Sequence, residues 1–137
     1  MTVSRDGFEY AVLRVVPRVE RGEAMNAGVL LYCQARAFLG ARVHLDRVRL
    51  HALDPAADAD AVEHALRTAA GVCDGVAGVG PAGEEDPGRR FRWLTAPRST
   101  VVQPGPVHTG LTADPVAELD RLLAVLVLPP APDRRDL

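Results

Sequence analysis

The chain has 137 residues, 47% of them apolar and 25% charged, which is the composition of one ordinary globular domain rather than of a disordered or fibrous protein. All 16 basic residues are arginine, so Schiff-base enzymes and phosphate-binding loops that end in Gly-Lys are excluded. The net charge of -2 argues against nucleic acid as a partner, because contact with phosphates without sequence preference needs a basic surface.

The hydropathy pattern and the first residues predict a cytoplasmic protein that does not bind membranes. No stretch reaches the roughly 20 apolar residues that a membrane span needs. Arg5, Asp6 and Glu9 stand where a signal peptide would have an apolar run. Cys33 and Cys73 lack the density of a secreted disulfide framework, so we expect both as free thiols.

The first predicted strand covers residues 8–16 and ends at Pro17. Both of its faces are largely apolar, which is typical of a central strand in a sheet. Arg14 interrupts one of these faces. Because a buried guanidinium without a partner costs several kcal/mol, we expect Arg14 to pair with Glu20 or Glu23 in the following turn.

A charged turn over residues 18–26 leads into two further strands. Residues 28–33 are continuously apolar and predict a second buried strand. Residues 37–45 alternate between two sets of side chains and predict a third strand with one core face and one partly exposed face. Only residues 34–36 separate these strands, so we expect them to form an antiparallel hairpin.

Helical spacing of apolar residues begins after the third strand. Asp54 with Pro55, or Asp58 slightly later, can start a helix that continues until about Gly71. Residues 71–90 are dense in glycine and proline and have no periodicity. This segment therefore predicts a long mobile loop within the domain.

Two short strands are predicted over residues 91–94 and 99–103, which prolines flank. In the first of them, alternation places Phe91 and Trp93 towards the core and the interleaved arginines towards solvent. An ordinary amphipathic strand is therefore favoured over a strand that stacks bases and binds phosphates.

A final helix is predicted to start at Asp114 and Pro115 and to stop before Pro129. Its apolar stripe consists of Val116, Leu119, Leu122, Leu123 and Leu126. Together the elements predict an α+β fold with a mainly antiparallel sheet of about five strands and two helices packed on it. A single domain is expected over residues 1–128, followed by a disordered C-terminal tail over residues 129–137.

Polar residues of the first turn and of the C-terminal segment form the candidate ligand or partner site. One interpretation is a preorganised pocket for an anionic or polar ligand, and the other is an ion-pair network that braces the turn. The residues would converge only if the C-terminal strands lie beside the first strand. The candidate set is Arg14, Arg18, Arg21, Glu23, Asn26, Arg98 and His108.

No cofactor, metal or catalytic motif is predicted. Gly78, Gly80 and Gly83 match the spacing of a dinucleotide site, but they follow a helix and precede acidic residues that would repel a pyrophosphate. The histidines and cysteines lack the close spacing of zinc ligands. A serine nucleophile in a Gly-x-Ser-x-Gly turn is also missing.

Three segments carry a family resemblance: YAVLRVVPRVERGEAMNAGVLLYC, FRWLTAPRSTVVQPGPVHTGL and DPVAELDRLLAVLV. The turn pattern R-G-E-x-x-N-x-G over residues 21–28 is the most recognisable part. The chain resembles the bacterial domain-of-unknown-function family numbered 3037. That family has no assigned activity, so the resemblance implies a bacterial cytosolic protein and little chemistry. Members are similar in being encoded near kinase-like proteins of the persistence-toxin type, which suggests a protein partner.

We therefore predict a small non-catalytic module that binds a protein partner or a ligand, with a homodimer as a further form of association. The missing catalytic motifs favour this function over an enzyme. The alternative is an enzyme that acts on a phosphate- or carboxylate-bearing small molecule at Arg14, Glu23, Asn26, Arg98 and His108.

Overall fold

The computed structural model describes residues 4–75, 83 and 85–130. Within them the chain forms one five-stranded antiparallel sheet with α-helices on both faces, which confirms the α+β class. The strands are β1 Asp6–Val15, β2 Met25–Cys33, β3 Phe38–Val43, β4 Val102–Pro104 and β5 His108–Thr112. The helices are α1 Arg47–Leu53, α2 Ala59–Asp74, α3 Pro87–Thr95 and α4 Pro115–Leu126, so the described residues contain four helices rather than the predicted two.

Strand β1 is central, as its two apolar faces predict. The strand order is β3, β2, β1, and the remaining edge of β1 is shared by two short strands. Strand β5 pairs with residues 6–10 and β4 pairs with residues 13–15. The C-terminal strands therefore lie beside the first strand, which was the condition for convergence of the candidate residues.

The hairpin of β2 and β3 has the predicted antiparallel pairing. Its connection is a short 3-10 turn, Gln34–Arg36, after which Ala37 takes a left-handed conformation with φ of 50°. The predicted partly exposed face of β3 is confirmed at Phe38 and Arg42, which are half-buried, but it is wrong at Gly40, which is buried under α4. A Cβ atom at Gly40 would lie 2.9 Å from Leu119 Cδ2, so glycine allows α4 to approach the sheet closely.

Each face of the sheet has its own hydrophobic core. Helices α1, α2 and α3 contribute to the larger core, which includes Leu13, Leu30, Leu50, Leu66 and Phe91. Helix α4 covers the other face through Leu119 and Leu122. Alternation along β1 and β2 supplies both cores, because successive side chains point to opposite faces.

Of the two helix starts predicted after β3, the later one at Asp58 is confirmed, and a short additional helix precedes it. Helix α1 was not predicted, since only Leu50 of its seven residues is buried and its apolar pattern is too short to recognise. Asp54 ends α1 instead of starting α2. The N-cap of α2 is Asp58, whose carboxylate accepts from the backbone N–H of Ala61, and the helix continues past Gly71 to Asp74.

The predicted strand over residues 91–94 is wrong, because α3 occupies this segment. Asp86 caps the helix by accepting from the N–H of Arg89, and Pro87 fills its first turn. Phe91 and Leu94 are buried while Trp93 is 47% exposed, which is helical rather than alternating spacing. A run of four residues fits both the period of a strand and that of a helix. The cap at Asp86 and Pro87 is the signal that indicates a helix. The strand predicted over residues 99–103 is found one to three positions later, as β4.

The predicted loop at residues 71–90 is helical at both of its ends, because its first residues belong to α2 and its last residues belong to α3. Residues 76–82 and 84 lie outside the described residues, as do residues 1–3 and 131–137. The predicted mobility of the loop, the tail at residues 129–137 and the domain boundary therefore stay predictions.

Among the described helices, none combines the length and the apolar character needed to cross a membrane. Cys33 and Cys73 are buried free thiols. Burial raises the pKa of the Cys73 thiol to about 12, so this side chain is not a thiolate nucleophile at neutral pH.

Candidate functional site

The turn between β1 and β2 satisfies its own charges. Arg18 donates to Glu20 at 2.9 Å, and Arg21 pairs with Glu23. Arg18 also lies 3.7 Å from the carboxylate of Asp54 at the end of α1. The arginines and the turn glutamates are largely exposed, so each pair contributes little to stability.

The predicted pairing of Arg14 with Glu20 or Glu23 is wrong. Arg14 is exposed, and it has no ion-pair partner among residues 4–75, 83 and 85–130. It lies on the face of β1 that α4 covers, but at the level where that helix ends. Asn26, its neighbour on β2, donates to the carbonyl of Leu126 at 2.9 Å. The guanidinium therefore reaches solvent beyond the helix and needs no buried counter-charge.

Gly105 forms a flat support for Arg14. A Cβ atom at Gly105 would lie 3.2 Å from Arg14 Cζ, so the guanidinium packs directly on the glycine backbone. The N–H of Gly105 donates to the carbonyl of Val12 at 2.7 Å, which fixes this backbone against β1. Gln103, on the other side of Arg14 from Asn26, completes a polar row across three strands.

His108 lies on the same face as Arg14 but farther along the strand. It is opposite Tyr10 in the pairing of β5 with β1, and the two ring centroids are 5.2 Å apart. Arg14 is four positions after Tyr10, which is roughly 13 Å along an extended strand. His108 therefore does not belong to the polar row around Arg14.

Arg98 lies on the side of α2 and α3. Its Cζ is 4.5 Å from the centroid of the Trp93 ring, and its guanidinium also donates to the Trp93 carbonyl. The sequence-predicted residues thus fall into three groups. Arg18, Arg21 and Glu23 belong to the turn between β1 and β2. Arg14, Asn26 and His108 lie on the face of the sheet that α4 covers, and Arg98 lies alone on the other face.

A largely apolar groove begins at Arg98, and we call it the α2–β4 groove. It consists of two adjoining cavities of about 230 and 310 Å³ that share Ala65, Thr100 and Val102. The small side chains Ala61 and Ala65 of α2 form one wall. The opposite wall is formed by Trp93, Arg98, Val101 and Val102.

The edge of β4 beside this groove cannot accept a regular additional strand. The carbonyl of Val101 accepts from the backbone N–H of Val16 and therefore points towards β1. The backbone N–H and C=O of the next residue, Val102, therefore point away from β1, towards the free edge. The hydroxyl of Thr100 already donates to the Val102 carbonyl at 2.7 Å. Pro104 is the next outward residue and has no N–H. The groove is thus suited to side chains rather than to strand pairing.

Sequence reasoning missed Trp93 as a surface residue because it assigned the segment to a strand. The Asp86-Pro87 pair is the signal that would have indicated a helix here. Trp93 is two positions after the buried Phe91 and one before the buried Leu94, so on a helix it faces a different side. Within the described ranges, no group of three or more His, Cys, Asp or Glu side chains could hold a metal ion.

Comparison with known proteins gives a family but no function. The family model described as Protein of unknown function (DUF3037) matches residues 10–127, from within β1 to just past the end of α4. No curated protein and no solved structure matches the chain significantly. The matched segment contains all seven sequence-predicted residues and the whole α2–β4 groove. The chain belongs to the DUF3037 family.

Proposed function

We propose that this chain is a non-catalytic module of the bacterial cytoplasm that binds a protein partner in the α2–β4 groove. The observation that carries the proposal is the exposed Trp93, the single tryptophan of the chain, which lines an apolar groove and stacks with Arg98. Tryptophan and arginine are enriched among residues that contribute most to protein binding. A large aromatic surface left in contact with water favours association.

The occupant that fits the groove is an amphipathic helix with one acidic side chain. Ala61 and Ala65 lie one helical turn apart on α2, so a second helix can approach this wall closely. Arg98 is the one charged residue that lines the groove within the described residues. Its guanidinium keeps N–H donors beyond those directed at the carbonyls of Trp93 and Ala96, and a carboxylate would accept from them.

Trp93→Ala is expected to weaken partner binding by about 30-fold, or about 2 kcal/mol, because a groove-filling aromatic contact is lost. A photo-crosslinking residue at Ala61 would first capture the partner in the native host and identify the contacting segment. A synthetic peptide of that segment is then titrated calorimetrically against the wild-type chain, Trp93→Ala and Arg98→Ala.

Val125→Ala is the matched control, since Val125 is an exposed apolar residue on α4, on the opposite face of the sheet. It should bind the peptide as the wild type does. Equal affinity of the wild type and Trp93→Ala would contradict the proposal. So would a chain that captures no partner at Ala61 and instead turns over a small molecule.

A second candidate, an enzyme or binding protein for an anionic small molecule, is favoured by Arg14. Its exposed guanidinium is supported by Gly105 and flanked by the amides of Asn26 and Gln103, so it is oriented before any ligand arrives. Such a guanidinium binds carboxylate or phosphate oxygens through two parallel hydrogen bonds.

Arg14→Ala is expected to change the free energy of unfolding by less than about 0.5 kcal/mol, because Arg14 is exposed and has no described ion-pair partner. The same change should abolish saturable binding of inorganic phosphate, followed by NMR chemical shifts. Arg21→Ala removes a paired arginine from the adjacent turn and should leave phosphate binding intact. Phosphate binding that persists in Arg14→Ala would exclude this candidate, and a large loss of stability would assign Arg14 a structural role.

A further inference from the structure

A further cavity lies away from both candidate sites, and we call it the Gly7 pocket. It has a volume of about 440 Å³. Tyr32 of β2, Glu9 of β1 and Thr109 of β5 form a row across its floor, on the face of the sheet that α3 covers in part. The next row towards the start of β1 consists of Gly7 and Leu111, which pair directly.

Gly7 leaves the floor of this pocket open, although neither close packing nor a positive φ requires glycine at this position in the described structure. A Cβ atom at Gly28, Gly40 or Gly110 would come within 3.0 Å of neighbouring atoms, so packing requires glycine at those strand positions. The nearest atom to a Cβ at Gly7 is the carbonyl oxygen of Gly110 at 4.0 Å, and Gly7 has no positive φ. Glycine within a strand costs about 0.5–1 kcal/mol relative to alanine, and it often marks the close approach of a ligand.

The charge of Glu9, the one charged residue among the described residues that line the pocket, is balanced by Arg92 of α3, which lies beside the pocket. The two carboxylate oxygens of Glu9 accept from the two terminal nitrogens of Arg92, at 2.9 and 3.3 Å. The hydrogen bond to Glu9 raises the pKa of Arg92, so this guanidinium remains ionised. Each carboxylate oxygen uses one lone pair for Arg92 and keeps another for a ligand donor. Gln34 and Thr109 add an amide and a hydroxyl that both donate and accept.

We infer that the Gly7 pocket binds a neutral, hydroxyl-rich small molecule through its vicinal diol. A neutral set of mixed donors and acceptors complements hydroxyl groups, whereas a charged ligand would find no unpaired counter-charge in the Glu9–Arg92 pair. Leu111 is 68% exposed beside the open backbone of Gly7, which provides an apolar surface for the C–H face of a sugar ring. The volume is in the range of small-molecule pockets.

The same diol chemistry occurs in a free saccharide and in the ribose of a nucleoside. The probes are therefore methyl α-glucopyranoside, methyl α-galactopyranoside, adenosine and 2′-deoxyadenosine, each titrated into the full chain by NMR and calorimetry. Binding of a glycoside identifies the saccharide source. Binding of adenosine without binding of 2′-deoxyadenosine identifies the ribose source, because only the first retains the diol.

Gly7→Leu is expected to abolish binding of the probe, since a side chain would enter the pocket at a position where a Cβ atom meets no atom closer than 4.0 Å. Glu9→Gln should weaken binding by about tenfold because a charged acceptor becomes a neutral one. Glu20→Gln removes a paired carboxylate in the distant turn and should bind as the wild type does. If circular dichroism shows that Gly7→Leu does not fold, the affinity of Glu9→Gln for the probe alone tests the inference.

The inference is overturned if none of the probes binds saturably, or if Glu9→Gln binds the probe as tightly as Glu20→Gln. Equal binding of adenosine and 2′-deoxyadenosine, with no glycoside bound, would also overturn it. Trp93→Ala should leave probe binding unchanged, so this result is independent of partner binding in the α2–β4 groove.

Discussion

Phe91→Ala should lower the free energy of unfolding by about 3–5 kcal/mol, measured by urea denaturation. Phe91 is completely buried between α3 and the sheet, where its ring stacks on Tyr32 with centroids 5.6 Å apart. Truncation removes most of this apolar contact and leaves a cavity that the surrounding helices and strands can fill only in part. For a chain of this size, the melting temperature should fall by roughly 10 °C or more.

Trp93→Ala is the control for this prediction. Trp93 is larger than Phe91 but 47% exposed, so its removal should cost about 1 kcal/mol or less. The contrast between these two variants distinguishes a helix from a strand, because alternation would bury both side chains equally. Similar losses for Phe91→Ala and Trp93→Ala would therefore contradict the assignment of α3.

Leu119→Ala should lower the free energy of unfolding by about 2–5 kcal/mol. Leu119 is completely buried at the centre of the interface between α4 and the sheet, and its Cδ2 lies against Gly40. Since Gly40 has no side chain that could move into the space, the cavity would remain largely empty. The measurement is denaturant unfolding followed by far-ultraviolet circular dichroism.

Val116→Ala provides the comparison on the same helix. The periodicity of the sequence includes Val116 in the apolar stripe, but the residue is 46% exposed. Its truncation should change stability by about 0.5 kcal/mol or less. A loss in Val116→Ala as large as that in Leu119→Ala would mean that α4 contacts the sheet through a different face.

Much of the fold could be predicted because its signals are local. The apolar faces of β1 and the short connection between β2 and β3 predict a central strand and a hairpin, and both are found. The Asp114-Pro115 start and the leucine spacing predict α4. In each case neighbouring residues determine the element, since period and capping act within a few positions.

The candidate site could be predicted only in part. Residue chemistry drew attention to Arg14 and Arg98, but the expectation of a buried Arg14 rested on the apolar residues that share its face of the central strand. The helix ends at Leu126, and Arg14 lies beyond it. The periodicity of the sequence does not indicate how far a helix extends over the strand on which it packs.

By itself, the sequence determined the α+β class, the central place of β1, the β2–β3 hairpin and the start of α4, because alternation, capping and short connections are local properties. Only the tertiary structure decided which side chains meet. Pairing of β4 and β5 with one edge of β1 supports Arg14 on Gly105 and places Thr109 beside Glu9. These contacts join residues far apart in the chain, so they depend on strand register and helix packing, which no local pattern encodes.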